Sequence, residues 1–196
     1  MNEDFLIKKA KKGDSAAFSA LMEQHFAMIY NLALRMSGNP DDASDLTQEV
    51  MIKLFKNIGA FEGKSKFSTW VYRVASNTCL DELRKIKRKK TVSLDAEYET
   101  EDGSVGYEAE DTASTPDVSA ERSELKTIVA KAVSRLGEEY RTAVILRDIN
   151  GLSYTEIAEV IGCSVGTVKS RISRGRANLK EILEKDFKIG GTYFHN

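Results

Sequence analysis

The sequence has little proline, little cysteine and no long apolar run. Proline occurs only at Pro40 and Pro116, and the abundance of Leu, Ala, Lys, Glu and Arg favours helices throughout. The cysteines, Cys79 and Cys163, are far apart and lack a CxxC or Cys/His neighbourhood. This argues against a disulfide framework or a zinc site and fits a reducing cytoplasm. Short apolar runs and an acidic N-terminus predict no membrane insertion and no secretory signal. We therefore predict an all-α, cytoplasmic protein.

Charge is distributed unevenly along the 196 residues. Bases exceed acids by 5 over residues 1–90 and by 3 over residues 121–196, whereas residues 91–120 hold nine acids and no base. That middle stretch is rich in Ser, Thr and Gly and has no apolar period, so we predict a flexible acidic linker. It is either a solvated spacer or an acidic mimic that discourages nucleic-acid binding when the protein is alone.

The predicted organisation is two small helical domains on either side of this linker. Residues 1–90 form an N-terminal helical bundle, residues 91–120 the linker and residues 121–187 a C-terminal four-helix domain. Residues 188–196 form a tail, which is either a frayed end or a partner-binding extension.

Apolar residues at steps of three and four predict the helices of the first domain. One stripe runs from Ser15, with Asp14 as the cap, through Met36. Asn39 and Pro40 are a good N-cap and first residue for the next helix. On that helix the polar residues Asp42, Asp45, Gln48 and Glu49 share a second face. This ridge is either a solvated face or a docking strip for a basic partner helix.

The segment around Trp70 combines aromatic rings with cations. Phe67, Trp70 and Tyr72 accompany Lys64, Lys66 and Arg73, and six of the seven residues from 84 to 90 are basic. Bases stack on rings and cations neutralise phosphates, so the segment indicates nucleic-acid binding. The alternative is that the rings are core residues and the basic run complements the helix C-terminus.

The second domain has the pattern of a helix-turn-helix. Ser153 and Glu156 form a capping box, Gly162 suits a tight turn and Ser164 is a good cap for the final helix. The apolar side of that helix is predicted to consist of Val165, Val168, Ile172 and Leu179. A basic and hydroxyl-rich side is then left facing outward. This combination is typical of a DNA-reading helix, although an ordinary helical hairpin is the alternative.

No catalytic arrangement is evident. His25 and His195 have no partner suggested by sequence, there is no glycine-rich phosphate loop, and we expect no cofactor, no metal and no enzymatic activity. Two other functions would also fit the nucleic-acid signals described above. One is a stand-alone helix-turn-helix repressor. The other is a nuclease that binds Mg²⁺ through Asp41, Asp42, Asp45 and Glu49, although residues of a single helix make a poor cage for the ion.

Three stretches resemble bacterial RNA polymerase sigma factors of the extracytoplasmic-function (ECF) type. They are LRMSGNPDDASDLTQEVMIKLF at residues 34–55, KFSTWVYRVASNTCLDELRK at residues 66–85 and LSYTEIAEVIGCSVGTVKSRISRGRANL at residues 152–179. The resemblance covers most of both domains, in the order of the family. It implies a specificity subunit of core RNA polymerase that directs promoter-specific initiation. It also implies control by an anti-sigma factor, which is membrane-anchored in part of the family.

The resemblance also implies roles for matching residues. A first group would dock on the polymerase: Asp42, Asp45, Leu46, Gln48 and Glu49. A second would open and read the −10 promoter element, with Trp70 a scaffold or a base contact: Lys64, Lys66, Phe67, Trp70, Arg73, Asn77, Asp81 and Arg84. A third would meet the −35 element: Thr167, Lys169, Ser170, Arg171, Ser173, Arg174 and Arg176. Within it, Arg171 and Arg176 are expected to contact phosphates.

Overall fold

The computed structural model describes residues 2–94 and 116–187, and all regular secondary structure in these two ranges is helical. The all-α class is confirmed. Residues 95–115 of the predicted linker and residues 188–196 of the predicted tail lie outside the described residues, so both predictions stay open there. None of the described helices is both long enough and apolar enough to cross a membrane.

Five helices form the described part of the N-terminal half. They are α1 (Glu3–Ala10), α2 (Ser15–Glu23), α3 (Phe26–Ser37), α4 (Pro40–Asn57) and α5 (Phe67–Leu94), with a 3₁₀ turn at Ile58–Ala60. Helix α3 packs against both α4 and α5, and Leu32, Met36 and Leu54 are among the side chains that become completely buried. The apolar stripes predicted from the sequence therefore meet in a core between these helices.

Local capping signals determine where two of these helices begin. The Asn39 side chain accepts hydrogen bonds from the backbone N–H groups of Asp41 and Asp42, at 2.8 and 3.1 Å. The Asp14 carboxylate accepts one from the N–H of Ala17 at 2.9 Å. Both caps are confirmed. Gly38 ends α3 with φ of 75°, a left-handed conformation that glycine adopts without steric cost.

The predicted single helix from Ser15 through Met36 is wrong, because the chain turns at Gln24 and His25. Neither proline nor glycine marks this turn. His25 is buried, with Nε2 3.1 Å from Glu3 Oε1 on α1 and its ring centroid 5.3 Å from that of Phe67 on α5. Both partners are distant in sequence, so tertiary contacts hold the turn, and the local pattern did not reveal it or helix α1.

Four helices form the described part of the C-terminal half. They are α6 (Pro116–Ser134), α7 (Glu138–Val144), which continues into a π-helical turn at Ile145–Ile149, α8 (Tyr154–Ile161) and α9 (Val165–Asp186). Helix α5 reaches Leu94 and α6 starts at Pro116, so both extend into the segment predicted as linker. Proline is well suited to a first helical position, because its missing N–H has no partner there in any case.

Helices α8 and α9 form the predicted helix-turn-helix. Ser153 Oγ accepts from the N–H of Glu156, and the Glu156 carboxylate accepts from the N–H of Ser153, so the capping box is confirmed. Gly162 adopts φ of 66° between the helices. Ser164 caps α9 by accepting from the N–H of Thr167 at 3.1 Å. Each element of the motif thus has a local cause in the sequence.

Candidate nucleic-acid interface

The outer face of α9 presents four polar side chains to solvent. Val168 and Ile172 are buried, which turns the other sides of the helix outward. The exposed residues are Lys169, Ser170, Ser173 and Arg174. Cations and hydroxyls side by side on one exposed helical face can contact phosphates and base edges in a major groove.

Three other predicted contacts on α9 have partners within the domain. Arg171 lies 3.0 Å from a carboxylate oxygen of Glu139, and Arg176 Nε donates to Asp148 Oδ2 at 3.0 Å. The Thr167 hydroxyl lies 2.9 Å from that of Ser164 at the helix cap. Both ion pairs are partly exposed, and phosphates could replace their carboxylates at modest cost.

Tyr154 is a neighbour of this face that the sequence did not single out. Two cations lie over its ring, with the Arg147 guanidinium carbon 4.8 Å and the Lys169 Nζ 5.9 Å from the ring centroid. A cation held over a ring gains electrostatic stabilisation. The tyrosine therefore helps to orient Lys169, and only the folding of α8 against α9 brings the two residues together.

A second polar face runs along α5. Arg73, Asn77, Asp81 and Arg84 are exposed and recur at steps of three and four, so they lie on one side of the helix. Lys64 and Lys66 are exposed just before the helix starts. The structure thus brings together six of the eight residues predicted for the −10 element.

The remaining two, Phe67 and Trp70, are inside the protein. They are 3% and 5% exposed, and their ring centroids are 5.5 Å apart. Both also contact Phe61, at centroid distances of 5.1 and 5.6 Å. In this conformation the rings cannot stack on bases, so they act here as the aromatic core that supports the start of α5.

The predicted docking ridge forms an exposed strip on α4. Asp45, Gln48 and Glu49 are exposed and Asp42 is half-buried, but Leu46 is only 2% exposed and belongs to the core beneath the strip. Ile52 and Phe55 continue the strip and are 45% and 50% exposed. The strip therefore combines acidic and apolar surface, a composition suited to a basic partner helix with apolar contacts.

The two halves of the molecule contact each other across α5 and α8. Lys66 Nζ lies 2.8 Å from Glu156 Oε1, and Arg84 Nε donates to Glu138 Oε2 at 2.7 Å. The Lys66 hydrogen bond, together with those from Ser153, lowers the pKa of Glu156 from 4.5 to about 2. Burial raises the pKa of Tyr72, and a hydrogen bond from Asn150 opposes that shift.

Sequence comparisons identify the family to which the chain belongs. Residues 21–89 match the Sigma-70 region 2 family, and residues 126–179 match the family described as Sigma-70, region 4. The ECF RNA polymerase sigma factor SigW of Bacillus subtilis is 38% identical over 178 residues, which are 90% of this chain and 94% of the relative. The chain belongs to the ECF family of RNA polymerase sigma factors. Its function is therefore promoter-specific initiation of transcription.

Further relatives of this sigma factor support the assignment. The ECF sigma-E factor of Escherichia coli K12 is 35% identical over 177 residues, which cover 90% of this chain and 91% of the relative. Among solved structures, the sigma factor RpoE of Bartonella quintana, in complex with the anti-sigma factor NepR, matches with a TM-score of 0.66 and 27% identity. That match covers 86% of this chain and 98% of RpoE.

Proposed function

We propose that this sigma factor divides promoter recognition between its halves. In this proposal the exposed face of α9 reads the −35 duplex and the α5 face, with Lys64 and Lys66, holds the −10 strand. The strip on α4 binds core RNA polymerase. The observation that carries the proposal is the outward face of α9, where Lys169, Ser170, Ser173 and Arg174 are all exposed while Val168 and Ile172 on the other side are buried.

Arg174 provides the test of base reading by α9. Its side chain is exposed on the outer face, where an arginine can donate two hydrogen bonds to a guanine. Arg174→Ala is expected to cost ~1–3 kcal/mol against one base pair of the −35 element. The measurement is binding to duplexes with single base-pair changes, after the promoters have been mapped by sequencing the transcripts made on overexpression.

Lys180→Ala is the matched control, because it removes an exposed positive charge from α9 nearly two turns beyond Arg174. This variant should change affinity slightly and equally for every duplex. An equal loss for every duplex with Arg174→Ala would mean that Arg174 contacts phosphates and would contradict direct readout.

Run-off transcription with purified core polymerase distinguishes this proposal from its competitors. The purified chain should direct initiation at its own promoters, which neither a repressor nor a nuclease would do. A repressor would instead bind duplex tightly without polymerase, usually as a dimer on a symmetric site. A nuclease would degrade the template in Mg²⁺; in this chain the acids Asp41, Asp42, Asp45 and Glu49 lie along one helix rather than around a common centre.

The remaining parts of the proposal concern regulation and location. We propose a non-enzymatic, cytoplasmic factor, because polymerase and promoter DNA are reached there. The sigma factor RpoE of Bartonella quintana is bound by an anti-sigma factor in its solved structure. By analogy this chain would be held inactive by an anti-sigma factor that covers its polymerase-binding and −35 surfaces.

A further inference from the structure

Helix α1 precedes residues 21–89, the part of the chain that matches region 2, and it contacts a loop within that part. The loop, residues 61–66, connects the 3₁₀ turn at Ile58–Ala60 to α5 and has no regular secondary structure. It carries Lys64 and Lys66, two of the cations proposed to hold the −10 strand, and is called the basic loop below. Because it has few backbone hydrogen bonds of its own, it depends on other elements for a fixed position.

Lys11, the C-cap residue of α1, anchors the start of the basic loop. Its Nζ donates a hydrogen bond of 2.8 Å to the backbone oxygen of Phe61, which is 50 positions away in the sequence. A hydrogen bond from a charged donor is stronger than one between neutral groups. The ring of Phe61 is buried and packs against the rings of Phe67 and Trp70. The start of the loop is therefore held between α1 and the aromatic core.

The other end of α1 supports the end of the basic loop through His25. Glu3 Oε1 lies 3.1 Å from His25 Nε2, and the centroid of the buried His25 ring lies 5.3 Å from that of Phe67. Phe67 is the first residue of α5 and follows the loop directly. Helix α1 thus contacts the start of the loop directly and its end through one buried side chain.

A loop that is already held in place costs less to bind. Lysine side chains and loop backbone lose conformational freedom on binding, and a loop fixed beforehand has less freedom to lose. Gly63, in the middle of the basic loop, adopts φ of 74°, and glycine allows the backbone more conformations than other residues do. Support at both ends of this loop therefore raises affinity without adding a contact to DNA.

We propose that α1 holds the basic loop in the position from which Lys64 and Lys66 meet the −10 strand, and that Lys11 is the positioning residue. The inference rests on the proposed role of the α5 face and these two lysines. In this arrangement the Lys11 ammonium acts on the backbone of Phe61 rather than on a phosphate. Loss of its hydrogen bond weakens binding of the −10 strand and leaves −35 recognition by α9 unchanged.

The first experiment compares Lys11→Met with Lys12→Met in the full-length chain, assembled with core polymerase. Methionine keeps the length of the side chain and has no hydrogen-bond donor. Lys12 is exposed next to Lys11, so the control makes the same change of net charge at almost the same place. The probe is a fluorescent fragment of a promoter mapped from the transcripts made on overexpression, with its non-template −10 strand left single-stranded. Affinity is measured by anisotropy at several salt concentrations.

The Lys11→Met holoenzyme should bind this fragment about threefold to tenfold more weakly than the Lys12→Met holoenzyme, with the same salt dependence. Lys11→Arg should bind as the native chain does, because the guanidinium also donates to a carbonyl. Equal affinity of the two methionine variants would overturn the inference. So would a salt slope lowered by roughly 0.7 in Lys11→Met alone, which would make Lys11 a phosphate contact.

A duplex that carries only the −35 element tests whether the effect is confined to the −10 strand. Both holoenzymes should bind this duplex equally. A parallel loss in Lys11→Met would mean that the substitution destabilises the whole factor, and it would overturn the positioning role.

The fluorescence of Trp70 reports the position of the loop directly. Trp70 is the single tryptophan of the chain, and its ring centroid lies 5.6 Å from that of Phe61. Acrylamide should quench this fluorescence more strongly in free Lys11→Met than in free Lys12→Met, because the loosened Phe61 covers the indole less well. Equal quenching would show that the loop keeps its position without Lys11, and it would overturn the inference.

Arg73→Ala distinguishes failure of this inference from failure of the proposed function. Arg73 is exposed on the α5 face and belongs to the residues proposed to hold the −10 strand. If Arg73→Ala weakens binding of the fragment while Lys11→Met equals its control, the α5 face binds DNA and only the positioning role is refuted. If Arg73→Ala leaves binding unchanged, the proposed −10 role of α5 fails, and the inference falls with it.

Discussion

At the scale of the residue, Gly175 shows how closely α9 packs on α7. A Cβ built at this position would lie 2.6 Å from Val144 Cγ2 and 3.3 Å from the backbone oxygen of Tyr140. Val144 is buried and β-branched, so its methyl group has little freedom to move. The glycine therefore sets the distance of the proposed DNA-reading helix from its support.

Gly175→Ala should lower the free energy of unfolding by ~1–3 kcal/mol, as overpacking does in a close-packed interior. Gly166→Ala is the control on the same helix, since its new Cβ would meet only Ser164 Oγ at 3.7 Å. That control should be neutral or slightly stabilising, because alanine favours helix more than glycine does. Urea unfolding of both variants measures the difference. Equal stabilities would show that α7 moves aside for the added Cβ at little cost in free energy.

The two thiols should differ sharply in reactivity. Cys79 is completely buried, and burial raises the pKa of its thiol to about 12, whereas Cys163 is partly exposed. Because the thiolate is the reactive form, a thiol reagent should label only Cys163 in the native protein and both cysteines in denaturant. Mass spectrometry of the labelled chain counts the modified sites. Rapid native labelling of Cys79 would mean that α5 opens readily from the core.

At the scale of the element, α4 has a buried apolar side and an exposed side that is proposed to bind polymerase. Val50 and Leu54 are completely buried, whereas Asp45 and Glu49 on the other side are exposed. The period of the helix separates these sets, so the outward side can be changed without disturbing the core.

Asp45→Lys with Glu49→Lys should weaken binding to core polymerase by roughly tenfold or more, because like-charge contacts across an interface cost several kcal/mol. Binding to −35 duplex should be unchanged. Asp4→Lys with Glu23→Lys makes the same change of net charge at exposed positions elsewhere in the N-terminal half and serves as the control. Unaltered polymerase affinity in the α4 variant would refute the docking role.

At the scale of the whole molecule, the contact between the two halves makes stability depend on pH through Glu156. Lys66 of the N-terminal half and Ser153 in the capping box both stabilise the ionised form of Glu156 and lower its pKa from 4.5 to about 2. A carboxyl group with a lowered folded pKa stabilises the structure above its unfolded pKa. This stabilisation is lost as the pH falls from about 4.5 towards 2.

Between pH 5 and pH 3 the free energy of unfolding should therefore fall more steeply for the native chain than for Glu156→Gln. The difference in slope should correspond to one carboxyl group that takes up its proton more readily in the unfolded chain. Other carboxyl groups titrate equally in both proteins, so the difference between the two curves isolates Glu156. Urea unfolding at several pH values measures it. Parallel curves would show that Glu156 is ionised with the same ease in the folded and unfolded chain.

The sequence by itself determined the features that depend on neighbours along the chain. The caps at Asn39, Ser153 and Ser164, the turn at Gly162 and the outward side of α9 each follow from residues within a few positions of one another. Capping and helical periodicity depend on interactions between residues close together in the sequence. The motifs that they form were specific enough to predict the family.

Only the tertiary structure decided which surfaces are free. Residues far apart in sequence meet at the turn at His25, in the aromatic core around Trp70, and at the pairs of Lys66 with Glu156 and Arg84 with Glu138. An aromatic ring beside cations is consistent with either a stacking surface or a core, because both need the same residue types. Burial distinguishes them, and burial depends on how whole helices pack, which no local pattern specifies.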